Sequence, residues 1–215
     1  MWDFTKDHSK KISKISPHEK CVFLSFDDGP DPLWTPKVLE ILKKYQAKAT
    51  FFLIGEKLER SSLLIERMLR EGHALGDHSW DHSYSHFFSR ESLVPWLEKS
   101  QKNFVDKCGT NPVGFRPPAG VVTPPLLELA EKQGFDVFLW KHRFYDRLFP
   151  LSNFQIKKTM ANIESGDILL LHDAPPLIRA WRHLTQLEVL LGALKARGFE
   201  MRALSQCAND SRTGD

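Results

Sequence analysis

Segments typical of β-strands and of α-helices alternate along most of this 215-residue chain. Short apolar runs bounded by turn residues predict strands, and apolar residues spaced three and four apart predict helices. The predicted strands cover residues 21–26, 49–54, 73–77, 113–116, 136–140, 167–171 and 199–204. The predicted helices cover residues 36–45, 63–69, 92–104, 125–132, 152–163 and 184–196. This alternation is typical of a parallel sheet covered by helices, and the chain length favours closure into a (β/α) barrel over an open sheet.

Two of these helices carry signals for where they start. Pro95 is typical of a first helical turn, so the third helix is predicted to start near it. Ser152 is a good N-cap residue and is expected to begin the fifth.

The ends of the chain are expected to differ from its centre. Residues 1–19 are predicted to form a polar arm outside the core, 20–207 a single domain, and 208–215 a frayed tail. The first twenty residues are basic but lack an apolar stretch, so no signal peptide is visible. The chain is therefore expected to be either cytoplasmic or a mature form that has lost its leader.

Composition excludes several classes of function. A formal net charge of +3 with scattered Lys and Arg residues argues against a nucleic-acid partner. No apolar run is long enough to cross a membrane, and we expect no membrane span. Three widely separated cysteines predict neither a disulfide framework nor a CxxC metal site.

Two adjacent carboxylates, Asp27 and Asp28, follow the first predicted strand and precede Gly29 and Pro30. Neighbouring like charges raise each other's pKa unless something compensates them. A metal ion is the simplest compensation, since one carboxylate can bind the ion while the other handles a proton. The alternative is an acidic surface turn, which the motif alone would favour.

More ionisable residues follow the later predicted strands. In parallel α/β folds the active site lies at the carboxyl ends of the strands. His78 and His82 follow the third strand, Arg116 ends the fourth, Asp146 lies beyond the fifth, and His172 follows the sixth. The sequence therefore predicts one rim that carries almost every candidate group.

The two histidines can share a metal with the first strand end. His78 and His82, four residues apart, would complete a two-histidine, one-carboxylate site with Asp28, which suits catalytic zinc or non-haem iron. Surface or core histidines are the alternative for the pair alone. Asp27 could accept a proton from water and His172 could supply one to a leaving group, and such an acid–base set favours a hydrolase.

Four short motifs in order carry a family resemblance. They are Ser-Phe-Asp-Asp-Gly-Pro at 25–30, His-Ser-Trp-Asp-His at 78–82, Arg-Pro-Pro at 116–118 and Leu-Leu-His at 170–172. With them the chain resembles the polysaccharide deacetylases of carbohydrate esterase family 4, the NodB homology domain, over roughly residues 20–205. The resemblance implies a deformed (β/α) barrel and metal-dependent removal of N-acetyl, sometimes O-acetyl, groups from sugars.

The resemblance also implies a role for each matching residue. Asp27 would be the general base, held by Arg116, and His172 the general acid, with its pKa raised by Asp146. The implied ligands of one divalent ion, zinc or alternatively cobalt or another metal, are Asp28, His78 and His82.

Substrate contacts are implied for a second group of residues. The backbone N–H of Ala119 would stabilise an oxyanion, and Leu170 with Trp140 would line the acetyl pocket. Pro118 and Trp80 are further candidates for the substrate site.

The sequence departs from the family pattern at two places. Ala119 stands where an aromatic residue is usual, and Arg147 follows Asp146 where tryptophan is usual. The groove is expected to be either more open or refilled by Trp80, Phe144 or Tyr145. The segment 174–181 is a further candidate for its border.

Several interpretations remain open at this point. The first is a deacetylase acting on N-acetylglucosamine units of peptidoglycan, and its alternatives in the same fold are a chitooligosaccharide deacetylase and a lipid-linked sugar deformylase. A non-haem iron oxygenase would need a mostly antiparallel sheet, and an inactive carbohydrate-binding domain would lack the acid–base set. For the first interpretation we expect a monomer with a polysaccharide substrate, in the periplasm or outside the cell, with the cytoplasm as the alternative.

Overall fold

The computed structural model describes residues 11–15, 19–147, 151–173 and 180–204. The strands are β1 Lys11–Ile12, β2 Cys21–Gly29, β3 Thr50–Leu53, β4 Ala74–Asp77, β5 Val137–Phe138, β6 His142–Arg143, β7 Ile168–His172 and β8 Glu200–Arg202. The helices are α1 Thr35–Tyr45, α2 Gly55–Leu58, α3 Ser62–Arg70, α4 Arg90–Cys108, α5 Pro124–Gln133, α6 Asn153–Asn162 and α7 Ala180–Ala196. Within the described residues, no helix is both long enough and apolar enough to pass through a membrane.

Parallel pairings close most of the strands into a ring. Strand β2 pairs with β3 on one side and β7 on the other, and β3 continues to β4. Bridges through Phe115 lead from β4 to β5, and β6 pairs with β7. Because β5 and β6 are consecutive parts of the segment 137–143, this segment closes the ring. The predicted barrel is confirmed in this irregular form, in which the strand predicted at 113–116 is reduced to single bridges at Phe115.

The strand β2 separates two environments by its alternating side chains. Val22, Leu24 and Phe26 belong to the large core between the sheet and the helices. Phe23 belongs to a smaller cluster inside the ring, and the alternation directs Asp27 to the same interior. A carboxylate inside the ring needs a buried partner, and this requirement is met at the candidate site.

The polar arm predicted for residues 1–19 is wrong for its described part. Strand β1 pairs in parallel with β5, and Ile12 and Ile15 pack against the cluster inside the ring. A two-residue strand has too little alternation to be recognised in a basic segment, and the pairing with β5 holds it in place. The remaining residues of the arm, and those beyond 204, lie outside the described residues, so the division at 207 stays a prediction.

Helix starts follow the local signals in one case and not in the other. Ser152 caps α6, and Ser152 and Gln155 form a reciprocal capping box, as predicted for this N-cap. Helix α4 begins at Arg90, so the start predicted at Pro95 is wrong. Pro95 lacks only one backbone donor, and Leu93, Trp96 and Leu97 bury the apolar face of this turn, which favours the longer helix.

Candidate active site

A β-bulge at the end of β2 brings two neighbouring carboxylates to the same place. In a regular strand Asp27 and Asp28 would point to opposite faces. The register with β3 shifts between Asp27 and Gly29, and Asp28 has a positive φ of 71°. A bulge redirects a side chain in this way, so both carboxylates lie beside His78.

The loop after β4 folds back so that its two histidines face each other. Asp77 Oδ1 accepts hydrogen bonds from the Ser79 backbone N–H at 2.9 Å and from Ser100 Oγ at 2.8 Å. The backbone N–H of His82 donates to Ser79 Oγ at 3.1 Å. The rings of His78 and His82 are consequently 5.2 Å apart, between centroids.

The three predicted metal ligands form one cluster. Asp28 Oδ1 lies 3.5 Å from His78 Nε2 and 3.1 Å from His82 Nε2. One ligand atom from each residue lies within 4.8 Å of the other two. His78 Nδ1 donates to the carbonyl of Arg116 at 2.7 Å, which leaves its Nε2 free to coordinate.

Asp28 Oδ1 is buried and has no hydrogen bond from the described residues. A buried carboxylate oxygen without a donor requires an explanation, and a cation bound between it and the two imidazoles supplies one. Burial acts against ionisation of Asp28, but the nearby imidazoles of His78 and His82 outweigh burial and hold its pKa well below the ordinary value. The donor set of one carboxylate and two imidazoles therefore fits a divalent cation.

Arg116 is fully buried and holds Asp27 from inside the ring. Its Nη1 donates to Asp27 Oδ1 at 2.8 Å and to Ser25 Oγ at 2.7 Å. Its Nη2 donates to the carbonyl of Leu139 at 2.9 Å and its Nε to that of Phe138 at 3.3 Å. These four hydrogen bonds offset much of the cost of burying the charge and fix the orientation of the Asp27 carboxylate.

His172 and Asp146 form a second buried pair across the cluster from the loop histidines. His172 donates from its backbone N–H to Asp146 Oδ2 at 2.8 Å and from Nδ1 to Oδ1 at 2.7 Å. Its Nε2 then faces Asp28 Oδ2 at 4.0 Å. Burial acts to lower the pKa of His172, but the hydrogen bond to Asp146 and the nearby carboxylates outweigh burial and raise it.

The residues predicted to contact substrate occupy different places. Leu170 is buried on the same side of β7 as His172, whereas its neighbours belong to the core under the helices. Pro118 is buried, and Ala119 has a positive φ of 56° in the short 3₁₀ turn after Arg116. Trp140 lies close against Gly120 in the same turn.

Trp80 does not join this group in the structure. The ring of Trp80 packs against Gly55 in α2 and under the ammonium group of Lys99 at 4.0 Å. These contacts are with the helices around the loop, so the predicted substrate role of Trp80 has no support from its position. The segment 174–179, predicted to border the groove, lies outside the described residues.

Two residues of the site were not assigned a role from the sequence. Arg147 Nη1 donates to Asp28 Oδ2 at 2.6 Å, although only the loss of an aromatic wall was predicted at this position. Ser25 Oγ links Arg116 to the carbonyl of Leu169 at 2.7 Å. The alternation of β2 could have placed Ser25 beside Asp27, but a side chain as long as Arg147 gives no such signal.

Backbone strain is concentrated around the cluster. Among the described residues, the non-glycine residues with positive φ are Asp28, Gln46, Ser79, His82, Ala119 and Tyr145. All except Gln46, which caps α1, are candidate site residues or direct neighbours of them. Such conformations cost about 1–3 kcal/mol each and persist where the surrounding structure enforces them, which is typical of functional sites.

Comparisons with known proteins identify the family. The sequence profile of the family described as polysaccharide deacetylase matches residues 14–138, more than half of the chain. The chain belongs to this family. The matched range includes the two carboxylates, both loop histidines and Arg116, while Asp146 and His172 lie beyond it.

Named relatives of this deacetylase family extend the similarity further along the chain. The peptidoglycan-N-acetylglucosamine deacetylase of Bacillus cereus is 33% identical over 195 residues, which cover 90% of each protein. The peptidoglycan-N-acetylglucosamine deacetylase PgdA of Listeria monocytogenes is 34% identical over 187 residues. This second match covers 87% of the chain but only 38% of the Listeria protein.

Solved structures support the same fold. The Bc1960 peptidoglycan N-acetylglucosamine deacetylase superimposes with a TM-score of 0.81 at 28% identity, covering 92% of this chain and 91% of that one. A family 4 acetyl xylan esterase from Clostridium thermocellum, solved with a cobalt ion, gives 0.78 at 29% identity and covers 91% and 93%. The parallel ring of this chain is not the antiparallel sheet that the oxygenase alternative predicted.

Proposed function

We propose that this chain is a metal-dependent hydrolase that removes the N-acetyl group from N-acetylglucosamine units of peptidoglycan and releases acetate. The main support for this function is that Asp28, His78 and His82 each place a potential metal-ligand atom around one point. Beside them, Asp27 is held by Arg116 and has no place in the ligand cluster. The names of the Bacillus cereus and Listeria relatives support the substrate.

A divalent cation would be held by Asp28 Oδ1, His78 Nε2 and His82 Nε2. Three protein ligands leave coordination positions open, which is typical of catalytic rather than structural zinc sites. Once bound, the ion would supply Lewis acidity and lower the pKa of water. We propose zinc as the native ion, and the cobalt ion in the acetyl xylan esterase supports a divalent metal in general.

Asp27 would act as the general base. Arg116 binds its Oδ1, so Oδ2 is the oxygen that can take a proton from the attacking water. The water oxygen then forms a bond to the acetamide carbonyl carbon. The backbone N–H of Ala119, in the strained turn after Pro118, would donate to the developing oxyanion.

His172 would act as the general acid on the leaving group. Asp146 accepts the Nδ1 proton, so a protonated His172 presents its second N–H at Nε2 toward the cluster. Transfer of that proton to the amine nitrogen accompanies cleavage of the carbon–nitrogen bond. Acetate and a free glucosamine amine are the products, and Leu170 with Trp140 would enclose the acetyl methyl group.

The proposed substrate implies where the chain works. Peptidoglycan lies outside the cytoplasmic membrane, so we propose that the protein acts in the periplasm or outside the cell. The polysaccharide is the proposed partner, and we propose that the protein binds it as a monomer through a catalytic domain that includes β1 and ends at residue 207.

The reaction and the metal can be tested together. In mass spectra, peptidoglycan fragments treated with the purified protein should lose about 42 Da for each N-acetylglucosamine unit whose acetyl group is replaced by hydrogen. Chelation should abolish the mass loss and added zinc should restore it, while Asp27→Asn should keep the metal and lose about 10²–10⁴-fold of the rate. Unchanged fragments with the zinc-loaded protein would contradict the proposal.

A further inference from the structure

A second concave surface lies beside the active site. Its volume is about 590 Å³, and it lies between the strand β6 and the helix α6. We call it the basic groove, and its lining residues are Trp140, Lys141, His142, Arg143, Tyr145, Phe154, Gln155, Lys158, Thr159 and Asn162. The reaction proposed above uses only Trp140 of this set, so the other residues need a separate explanation.

Two residues that line the basic groove adjoin residues of the active site. Trp140 lies against Gly120 in the turn that carries Ala119. Tyr145, at the other end, directly precedes Asp146, the partner of His172. A polymer whose reacting sugar lies at His172 can therefore extend along the groove.

Positive charge in the groove has no local acidic partner. The lining contains two lysines and one arginine, and no aspartate or glutamate. In the segment 137–163 the only acidic residue is Asp146, which is fully buried and bonded to His172. None of the ion pairs between described residues includes Lys141, Arg143 or Lys158, in contrast to Lys14, Lys44 and Lys107, which each contact a glutamate.

Aromatic rings lie between these cations. Tyr145 and Phe154 are 53% and 76% exposed, and the guanidinium of Arg143 lies 4.9 Å from the Tyr145 ring centroid. Exposed rings give a flat apolar surface on which a sugar ring can pack, and the cations can bind acidic groups attached to that sugar. Asp167 is fully buried and bonded to His142 Nε2 at 2.8 Å, and it forms no ion pair with Lys141, Arg143 or Lys158.

We infer that the basic groove binds acidic groups of the glycan, carboxylates or phosphates attached to sugars next to the one that reacts. A concave surface with cations of one sign concentrates such anions and holds the chain in register. The identity of the polymer rests on the proposed function, whereas binding in the groove does not require turnover.

Neighbouring lysines on α6 provide a matched pair of variants. Lys158 lines the groove, and Lys157 is also exposed on the same helix but does not line it. Lys158→Gln and Lys157→Gln remove the same charge from adjacent positions. Binding is measured by calorimetry in an Asp27→Asn background, so that no turnover occurs. The ligands are a muropeptide with free carboxylates, a poly(glycerol phosphate) oligomer and neutral chitotetraose.

Lys158→Gln should weaken binding of an acidic ligand about three- to tenfold, and 0.5 M salt (about a 4 Å screening length) should remove the difference. Lys157→Gln should leave that affinity within about 1.5-fold, and both variants should bind chitotetraose as the parent does. If only muropeptide binding depends on Lys158, the groove binds carboxylates. If only binding of the poly(glycerol phosphate) oligomer depends on it, the groove binds phosphates.

Two results would overturn the inference: equal effects of the two variants on both acidic ligands, or a loss of chitotetraose binding in Lys158→Gln as large as its loss of acidic-ligand binding. The proposed function is judged separately, by acetate release from the protein with Asp27 intact. A chain that releases no acetate yet binds the acidic ligand through Lys158 would refute the reaction and leave the groove assignment standing.

Discussion

Arg147 donates a hydrogen bond of 2.6 Å to Asp28 Oδ2, at the carboxylate that we propose as a metal ligand. The guanidinium side chain is about half exposed, so solvent weakens its charge only in part. A cation bound at Asp28 would lie close to this fixed positive charge and would compete with it for the carboxylate. We therefore expect Arg147 to weaken metal binding at Asp28.

Removing this competitor should strengthen metal binding. We expect Arg147→Gln to lower the Kd for zinc about tenfold, which corresponds to about 1.4 kcal/mol. Competition titration against a zinc chelator measures the change. Arg143→Gln is the matched control, since it removes the same charge without touching Asp28, and it should shift the Kd by less than about twofold. A weaker zinc affinity in Arg147→Gln would show that the arginine supports the ligand instead.

In the proposed reaction, Asp146 would set the pH range in which His172 can donate a proton. Burial acts to lower the pKa of His172, but the Asp146 carboxylate outweighs burial and raises it, so we expect activity to extend toward higher pH. We expect Asp146→Asn to move the alkaline limb of kcat/KM down by about one pH unit or more, because the imidazolium loses its counter-charge. Zinc content should be unchanged. An unmoved alkaline limb would mean that His172 is not the group that titrates.

At the scale of elements, the site depends on where regular structure is interrupted. The two carboxylates share a face only because β2 ends in a bulge at Asp28, and the histidines meet only because the loop after β4 turns at Ser79 and His82. Residue types and their order predict that these groups lie on one rim. Positive φ values at non-glycine residues have no signal in a single sequence, so the geometry could not be predicted.

The ends of strands and helices are also predictable from the sequence only in part. Strands β2, β3 and β7 were predicted within three residues because each is buried on both faces and contains a largely apolar run. Strand β1 and the start of α4 were missed because tertiary contacts decide them: pairing with β5 in one case, burial of Leu93 and Trp96 in the other. Local propensity carries no information about either contact.

A buried histidine between α3 and β4 links stability to pH. His73 Nδ1 accepts a hydrogen bond from the Ala49 backbone N–H at 3.2 Å, so this nitrogen must stay unprotonated. Burial, assisted by Lys48, lowers the pKa of His73 from 6.5 to about 4. The unfolded chain therefore binds more protons between these values, and the free energy of unfolding falls as pH drops from about 6.5 to about 4.

His73→Asn keeps an acceptor for Ala49 and removes the titration. Between pH 6.5 and 4, we expect the wild type to lose up to about 3 kcal/mol more unfolding free energy than this variant. Urea denaturation at a series of pH values measures the difference. Parallel pH curves for the two proteins would show that His73 does not titrate in this range.

On the scale of the whole molecule, the closed ring of parallel strands collects the chemistry at one edge. Strands β2, β4 and β7 each end beside the cluster, and Arg116 reaches it from inside the ring. The position of these residues at one edge could be predicted, because the sequence shows which residues follow each strand and parallel strands end at the same edge. The ion pair between Arg147 and Asp28 could not be predicted, because it depends on how far a long side chain reaches. The basic groove could not be predicted either, because it depends on how α6 lies against β6.

The central claim is that Asp28, His78 and His82 bind one divalent cation while Asp27 stays uncoordinated as the base. Zinc content and acetate release, measured side by side on wild type, Asp27→Asn and Asp28→Asn, test it most directly. We expect about one zinc in the wild type and in Asp27→Asn, with the rate of the latter lower by about 10²–10⁴-fold, and little bound zinc in Asp28→Asn. Loss of zinc from Asp27→Asn together with its retention in Asp28→Asn, or full activity in Asp27→Asn, would contradict it.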